Sequence, residues 1–292
     1  MEGPEATKRR GAAASGGGGG DVDRMPEDCL SLALSLTTPL DVCRSSAVSS
    51  AFLSAAKSDM VWGRFLPPDC QGILDRSAVP VMVSSRRELY FRLCDSILVD
   101  GGEKILWLEK STGKKCYMLS ARTLQIIWGG DNRYWTWVSV PDARFPEVAE
   151  LLSVCWLEVK ACISSRELSP GTRYGAYLVM RLSPSSSGLA DPPQEVVISV
   201  EGAPSSTRRV HLQEPQRVSS NSQGGPSSQA PQGSDAVCVP RERGDGWMEL
   251  EMGDFFVEAG GEELVEVWLR GWQSLHWKSG LIVHGIEFRP MP

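Results

Sequence analysis

The stretch Cys155-Trp156-Leu157-Glu158-Val159-Lys160-Ala161-Cys162-Ile163 carries a period of two. Cys155, Leu157, Val159, Ala161 and Ile163 alternate with Trp156, Glu158 and Lys160. Successive side chains of a strand point to opposite faces, so this segment predicts a strand with one face for a core and one for solvent. The same pattern extends on both sides. Tyr174 to Leu182, Glu195 to Val200, Trp247 to Met252, Leu264 to Leu269 and Leu281 to Phe288 read as further strands. Gly, Pro and polar clusters separate them, and no long helical pattern intervenes. Many strands without crossover helices predict an all-β antiparallel sandwich, jelly-roll-like, over residues 114–292. Within it, about residues 203–235 are rich in Ser, Gln, Pro and Gly, and predict one long disordered loop between two strands.

Upstream the period changes. Residues 1–24 contain the run Gly16 to Gly20 and predict a flexible tail. From Met25 the chain reads as small and all-α over residues 25–68. Pro26, Glu27 and Asp28 precede Leu30, Leu32, Leu34 and Leu36, which places proline and acids in a first helical turn. Thr37-Thr38-Pro39 interrupts, and a second helix starts near Leu40. A third runs from about Ala47 to Lys57, and Ser58-Asp59 caps a last turn holding Val61, Trp62 and Phe65. Residues 69–113 form a junction, with a short helix over Ser85 to Leu93 and a hairpin strand from Ile105.

A chain of 292 residues with 41% hydrophobic content can bury a sizeable core. Its net charge of −6, with no basic face, argues against nucleic acid as a partner. No run approaches the ~20 apolar residues of a membrane span. Residues 1–24 hold no apolar stretch of the secretory kind, so the expected compartment is cytoplasm, nucleus or both. The eight cysteines form no CxxC pair, which removes zinc and thioredoxin-type readings. Cys29, Cys43, Cys94, Cys155 and Cys162 lie in apolar segments and are expected to act as small core hydrophobes.

Three motifs in the helical unit have a recognisable order: Met25-Pro26-Glu27-Asp28, then Asp41-Val42-Cys43-Arg44 with Val48-Ser49, then Trp62-Gly63-Arg64-Phe65-Leu66-Pro67. Residues 25 to about 68 resemble an F-box, with Met25 where leucine is usual. The resemblance implies that apolar helix residues dock a groove on a Skp-type adaptor, and through it a cullin-RING complex. The residues that would do so are Met25, Pro26, Leu30, Leu36, Val48 and Trp62.

A longer series follows: Tyr117 to Gly129, Tyr134-Trp135-Thr136-Trp137, Arg144-Phe145, Tyr174 to Val179, Asp245 to Glu249, and Trp277-Lys278-Ser279-Gly280-Leu281 running to Pro290. It is similar to the phloem-protein-two, or Nictaba-like, lectins of plants, and with the upstream motifs the whole chain resembles the plant F-box/Nictaba-like proteins. A sugar site wants an exposed aromatic face against the C–H side of a pyranose, with polar groups around it. The resemblance matches Trp128 and Trp135 to the two tryptophans tied to GlcNAc-containing glycans. Asp131 and Asn132, in the turn between them, are hydroxyl partners, with Tyr134 beside them. Among the ten tryptophans, Trp137, Trp247 and Trp268 are expected in the core, and Trp277 borders the site.

No enzyme is indicated. His211, His276 and His284 are too separated for a metal triad, and no GxSxG, HExxH or Walker pattern is present. No cofactor or metal is expected. The implied function is a substrate-recognition adaptor of an SCF-type ubiquitin ligase, reading glycoprotein glycans through the sandwich. Two alternatives stand beside it: an F-box adaptor whose sandwich binds protein, and a free defence lectin with a vestigial F-box.

Overall fold

A computed structural model describes residues 25–215 and 237–292. The expected tail at 1–24 and the 216–235 part of the expected loop lie outside the described residues.

Four short helices come first: α1 (Glu27–Ser35), α2 (Pro39–Ser45), α3 (Ser50–Ala55) and α4 (Asp59–Phe65). Their starts are encoded locally. Pro39 sits at the start of α2 while the Thr38 hydroxyl accepts from the Asp41 N–H, and Ser49 and Ser58 cap α3 and α4. Leu30 and Leu34, one helical turn apart, bury the inner face of α1 against α3 and α4. The Trp62 indole is enclosed, donates from Nε1 to the Ala56 carbonyl at 2.7 Å, and packs 5.1 Å from Tyr90 and 5.0 Å from Phe91, centroid to centroid.

Those two rings belong to α6 (Arg86–Cys94), which follows α5 (Cys70–Asp75). The chain then enters strands β1 (Ile97–Val99), β2 (Lys104–Leu108) and β3 (Lys115–Ser120). The β2–β3 hairpin runs in register from Lys104 opposite Leu119 to Leu108 opposite Lys115. Gly113 in its turn has φ +75°, and a Cβ there would lie 2.9 Å from the Phe65 carbonyl oxygen. Only glycine lets the turn close on the end of α4. The junction is therefore part of the fold rather than a linker: α6 packs on both α4 and β2.

The remaining strands are β4 (Gln125–Ile126), β5 (Trp135–Val138), β6 (Val148–Leu151), β7 (Leu157–Ser164), β8 (Thr172–Ser187), β9 (Gln194–Val200), β10 (Ala203–Val210), β11 (Arg241–Glu242), β12 (Met248–Val257), β13 (Leu264–Gly271) and β14 (Ser279–Pro290). They form two antiparallel sheets, as the alternation predicts. One has the order β1-β2-β3-β14-β8-β12-β11, with β5 and β6 attached at β14; the other is β10-β9-β13-β7-β4. Leu157, Val159, Ala161 and Ile163 are buried between the sheets, and Glu158, Lys160 and Cys162 lie on the opposite face. A second apolar cluster covers the larger sheet from outside, where Phe145, Val148 and Trp247 pack with Ile105, Met118 and Val179. That cover explains why β3 is buried on both faces.

Three expectations are corrected. Residues 203–210, read as loop, form strand β10, paired with β9 from Ala203 opposite Val200 to Val210 opposite Gln194. Apolar content is a poor guide at a sheet edge: β10 fully buries only Val210, and its Arg208 holds the neighbouring β12 through Glu251 at 2.6 Å and Asp254 at 2.9 Å. His211 follows this strand directly, and Leu212 after it is buried. Of the five cysteines assigned to the core only Cys94 is buried; Cys29 and Cys43 are exposed on their helices, and Cys155 and Cys162 are half-buried. Trp268 is not in the core, because its side chain leaves the outer face of β13 between Lys160 and Arg270, each 4.3 Å from the ring. Trp247 is buried as expected and Trp137 is half-buried.

Candidate functional site

Among the described residues, the helical unit leaves one apolar face uncovered. With Leu30 and Leu34 turned inward, α1 leaves Leu32 outside, and Leu36 beyond its end is 71% exposed. Val48, in the turn before α3, is 70% exposed, and Met25, Leu40, Leu53 and Met60 are also exposed. Of the expected adaptor contacts, Met25, Pro26, Leu36 and Val48 are accessible. Leu30 and Trp62 are not, and this corrects their assignment: Leu30 is enclosed on the inner face of α1 and Trp62 against Tyr90 and Phe91 of α6, so neither offers surface to a partner.

At one end of the sandwich several loops converge. After β4 the chain turns at Trp128, whose φ of +64° is the left-handed region and whose indole is 55% exposed. The Asp131 N–H bonds the Trp128 carbonyl at 2.9 Å, and the Asp131 carbonyl in turn accepts from the N–H groups of Tyr134 and Trp135 at 2.9 and 3.1 Å. The Trp128 and Tyr134 rings sit 5.6 Å apart at 48°.

The other predicted aromatic is different. Trp135 is 1% exposed and its Nε1 donates to the Ile127 carbonyl at 3.2 Å. Trp137 does the same to the Gly129 carbonyl at 3.1 Å, with the Arg122 guanidinium stacked 3.7 Å over its ring. These two indoles brace the turn from beneath. Trp135 therefore offers no stacking face, which corrects its expected role; Trp128 does. Asn132 is exposed, while Asp131 is held by Arg133 at 3.0 Å to Oδ1 and 2.6 Å to Oδ2. Those hydrogen bonds pull the Asp131 carboxyl down to about 2.

The Leu152 N–H bonds the Tyr134 carbonyl at 2.9 Å, which brings the β6–β7 connection alongside. It carries Trp156, half exposed, which stacks on Trp272 at 5.6 Å and 25°. Sequence reasoning left Trp156 undecided and did not single out Trp272. The signal was present: Trp268, Arg270 and Trp272 share one strand face, as do Lys160, Glu158 and Trp156, and β13 pairs β7 with Arg270 opposite Glu158 and Gly271 opposite Leu157.

Beyond Trp272 the chain loops through Leu275 to Trp277, which is 63% exposed. Next comes Lys278, almost wholly buried, whose backbone exchanges two hydrogen bonds with Val154 at 2.8 and 2.9 Å. Its ammonium donates to the carbonyls of Cys155 at 3.2 Å and His276 at 2.9 Å, tying the two tryptophan-bearing loops together. Burial pushes its pKa down.

His284 lies elsewhere, buried under Trp247 at 4.3 Å, with Nε2 accepting from the Arg144 N–H at 2.9 Å. Burial pushes its pKa down to about 4. No group of three or more His, Cys, Asp or Glu side chains suited to a metal occurs among the described residues.

Comparison with known proteins matches two family models to the chain, an F-box domain over residues 22–64 and phloem protein 2 over residues 114–290. Similar curated proteins come from Arabidopsis thaliana. One F-box protein is 43% identical over 92% of this chain and 80% of its own length. The putative F-box protein PP2-B2 is 44% identical over 92% and 83%, and F-box protein PP2-B10 is 40% identical over 92% and 93%.

Proposed function

Because the chain belongs to the plant F-box proteins that carry a phloem protein 2 domain, we propose that it is the substrate-recruiting adaptor of an SCF-type cullin-RING ubiquitin ligase in the cytoplasm or nucleus. F-box proteins are in general non-catalytic adaptors, and the chemistry of ubiquitin transfer belongs to other subunits. The helical face of Met25, Pro26, Leu36 and Val48 docks the Skp-type adaptor by apolar burial in a groove. The sandwich end selects glycoproteins that carry GlcNAc-containing glycans.

The observation that carries the sugar reading is the set of exposed indoles, Trp128, Trp156, Trp272 and Trp277, gathered on loops of one end and rimmed by polar side chains. A flat aromatic face beside hydrogen-bonding groups suits a pyranose better than an extended apolar peptide, which would want aliphatic depth. Trp128 with Tyr134 and Asn132 forms the first platform, and Asp131 shapes the turn through Arg133. The burial of Trp135 favours the second reading, a sandwich that binds protein, because it removes half of the expected tryptophan pair. A glycan array probed with the full chain, together with co-purification of a Skp-type adaptor, tests both halves. Binding of the adaptor with no glycan retained leaves the protein-binding sandwich; glycan binding without the adaptor leaves a free lectin.

A further inference from the structure

A small pocket of about 160 Å³ opens beside the stacked tryptophans, between the β8–β9 and β13–β14 connections. Pro192 and Pro193 line it from the first connection, Gln273, His276 and Lys278 from the second, and Glu195 and Arg270 from the strands between them. Its size is below the roughly 300–1,000 Å³ of drug-sized sites, so it suits one sugar ring or one functional group.

Lys278 is an unusual lining residue for such a pocket. It is almost wholly enclosed, and no carboxylate pairs with its ammonium among the described residues. Buried ammonium groups are normally paired with an anion. Two carbonyls take two of its three donors, and the third has no acceptor among the described residues. Gly271 makes room for the stem, since a Cβ there would lie 3.1 Å from Lys278 Cε. Arg270 adds a second cation at the rim, where its contact with Glu158 is long, 3.8 Å. Glu195 is the acid lining the pocket, and it faces Gln273 at 3.5 Å. His276 is engaged on both ring nitrogens, by Ser274 at 2.6 Å and the Gly188 carbonyl at 2.7 Å.

We propose that this pocket is an anion subsite that takes the carboxylate of an acidic sugar, a uronic acid, with the neighbouring residues of the glycan lying over Trp272 and Trp156. Gly271 and Gln273, on either side of Trp272, both line the pocket, so a ring seated there adjoins the Trp272–Trp156 stack. This inference rests on the glycan-binding reading above and narrows it from neutral to acid-bearing glycans.

Ligand-observed NMR titration of the full chain with glucuronate, glucose, acetate and chitotriose tests it. Glucuronate and glucose share a ring and differ by the carboxylate, so the expected result is about tenfold tighter binding of glucuronate, the scale of a charge-assisted hydrogen bond. The advantage disappears in Lys278→Met and shrinks in Arg270→Gln, which leaves the buried region untouched and decides the matter if Lys278→Met fails to fold. Equal affinity for glucuronate and glucose overturns the proposal, as does an advantage that survives both substitutions. Acetate binding as tightly as glucuronate shows a carboxylate site with no sugar ring and also overturns it. If chitotriose binds while glucuronate gains nothing, the acidic subsite falls alone. If none of the three sugars binds, the glycan reading falls with it.

Discussion

The helical face and the loop end of the sandwich are both exposed and both apolar, but their chemistry differs. On the helices the exposed side chains are aliphatic: Met25, Leu32, Leu36, Leu40 and Val48. They offer flexible, non-directional surface whose one gain is removal from water, which is what a groove on a partner protein supplies. On the sandwich they are indoles with Arg270, Glu158, Asn132 and Gln273 close in the chain or across a strand pair. Planar faces with polar edges select by orientation as well as by burial. Equal exposure thus marks two kinds of partner, and the type of side chain tells them apart.

Substitution separates the residues that form these surfaces from those that hold them up. Trp135→Ala removes a buried indole and its hydrogen bond, and is expected to cost ~3–5 kcal/mol in urea unfolding. Trp128→Ala, seven residues away and exposed, should change stability by less than ~0.5 kcal/mol. Equal losses would mean that the turn, rather than the indole, sets the stability there.

On the helical face, Leu36→Asp with Val48→Asp should leave the melting temperature unchanged and weaken capture of a Skp-type adaptor by at least about a hundredfold. Each buried aliphatic side chain is worth ~1.5–3 kcal/mol, and a carboxylate in the groove adds a desolvation cost. Undiminished co-purification would show that adaptor binding uses another face.

Acid should act on the sandwich and not on the helices, since none of the three histidines falls in residues 25–68. The His284 pKa is lowered on folding from 6.5 to about 4 because burial disfavours its charged form. The unfolded chain therefore binds the extra proton first. Stability from this group is full above pH 6.5 and declines as the pH falls toward 4. The expected decline is about 1–3 kcal/mol over that window. Denaturant midpoints measured from pH 7 to 5 should fall, and a flat profile would show that the imidazole is not desolvated.

The smallest effect expected is on glycan affinity. Trp128→Ala should weaken binding of a GlcNAc oligomer about tenfold and Trp156→Ala about fivefold, because a single stacked ring contributes ~1 kcal/mol. Binding isotherms that do not move for either variant would transfer recognition away from this end of the molecule.

Much of this architecture was legible in the residue order. The alternation over Leu157 to Ile163, the Ser58 cap of α4, and the order of the F-box motifs all act between near neighbours in the chain. Local geometry is enough to read such features. What waited for the tertiary structure was every question of which face is covered. Trp128 and Trp135 are alike in sequence, and only the pairing of β5 with β6 over the turn buries one and exposes the other. Leu30 and Leu36 lie in one apolar run, and only the packing of α1 on α3 and α4 sorts core from contact surface. β10 looked like loop because its partner strand and the ion pairs of Arg208 stabilise it in place of its own apolar content. Trp156 meets Trp272, and Lys278 reaches Cys155, across more than a hundred residues of chain. Burial is a relation between distant segments, so it is settled by the register of the sheets and by nothing a local pattern contains.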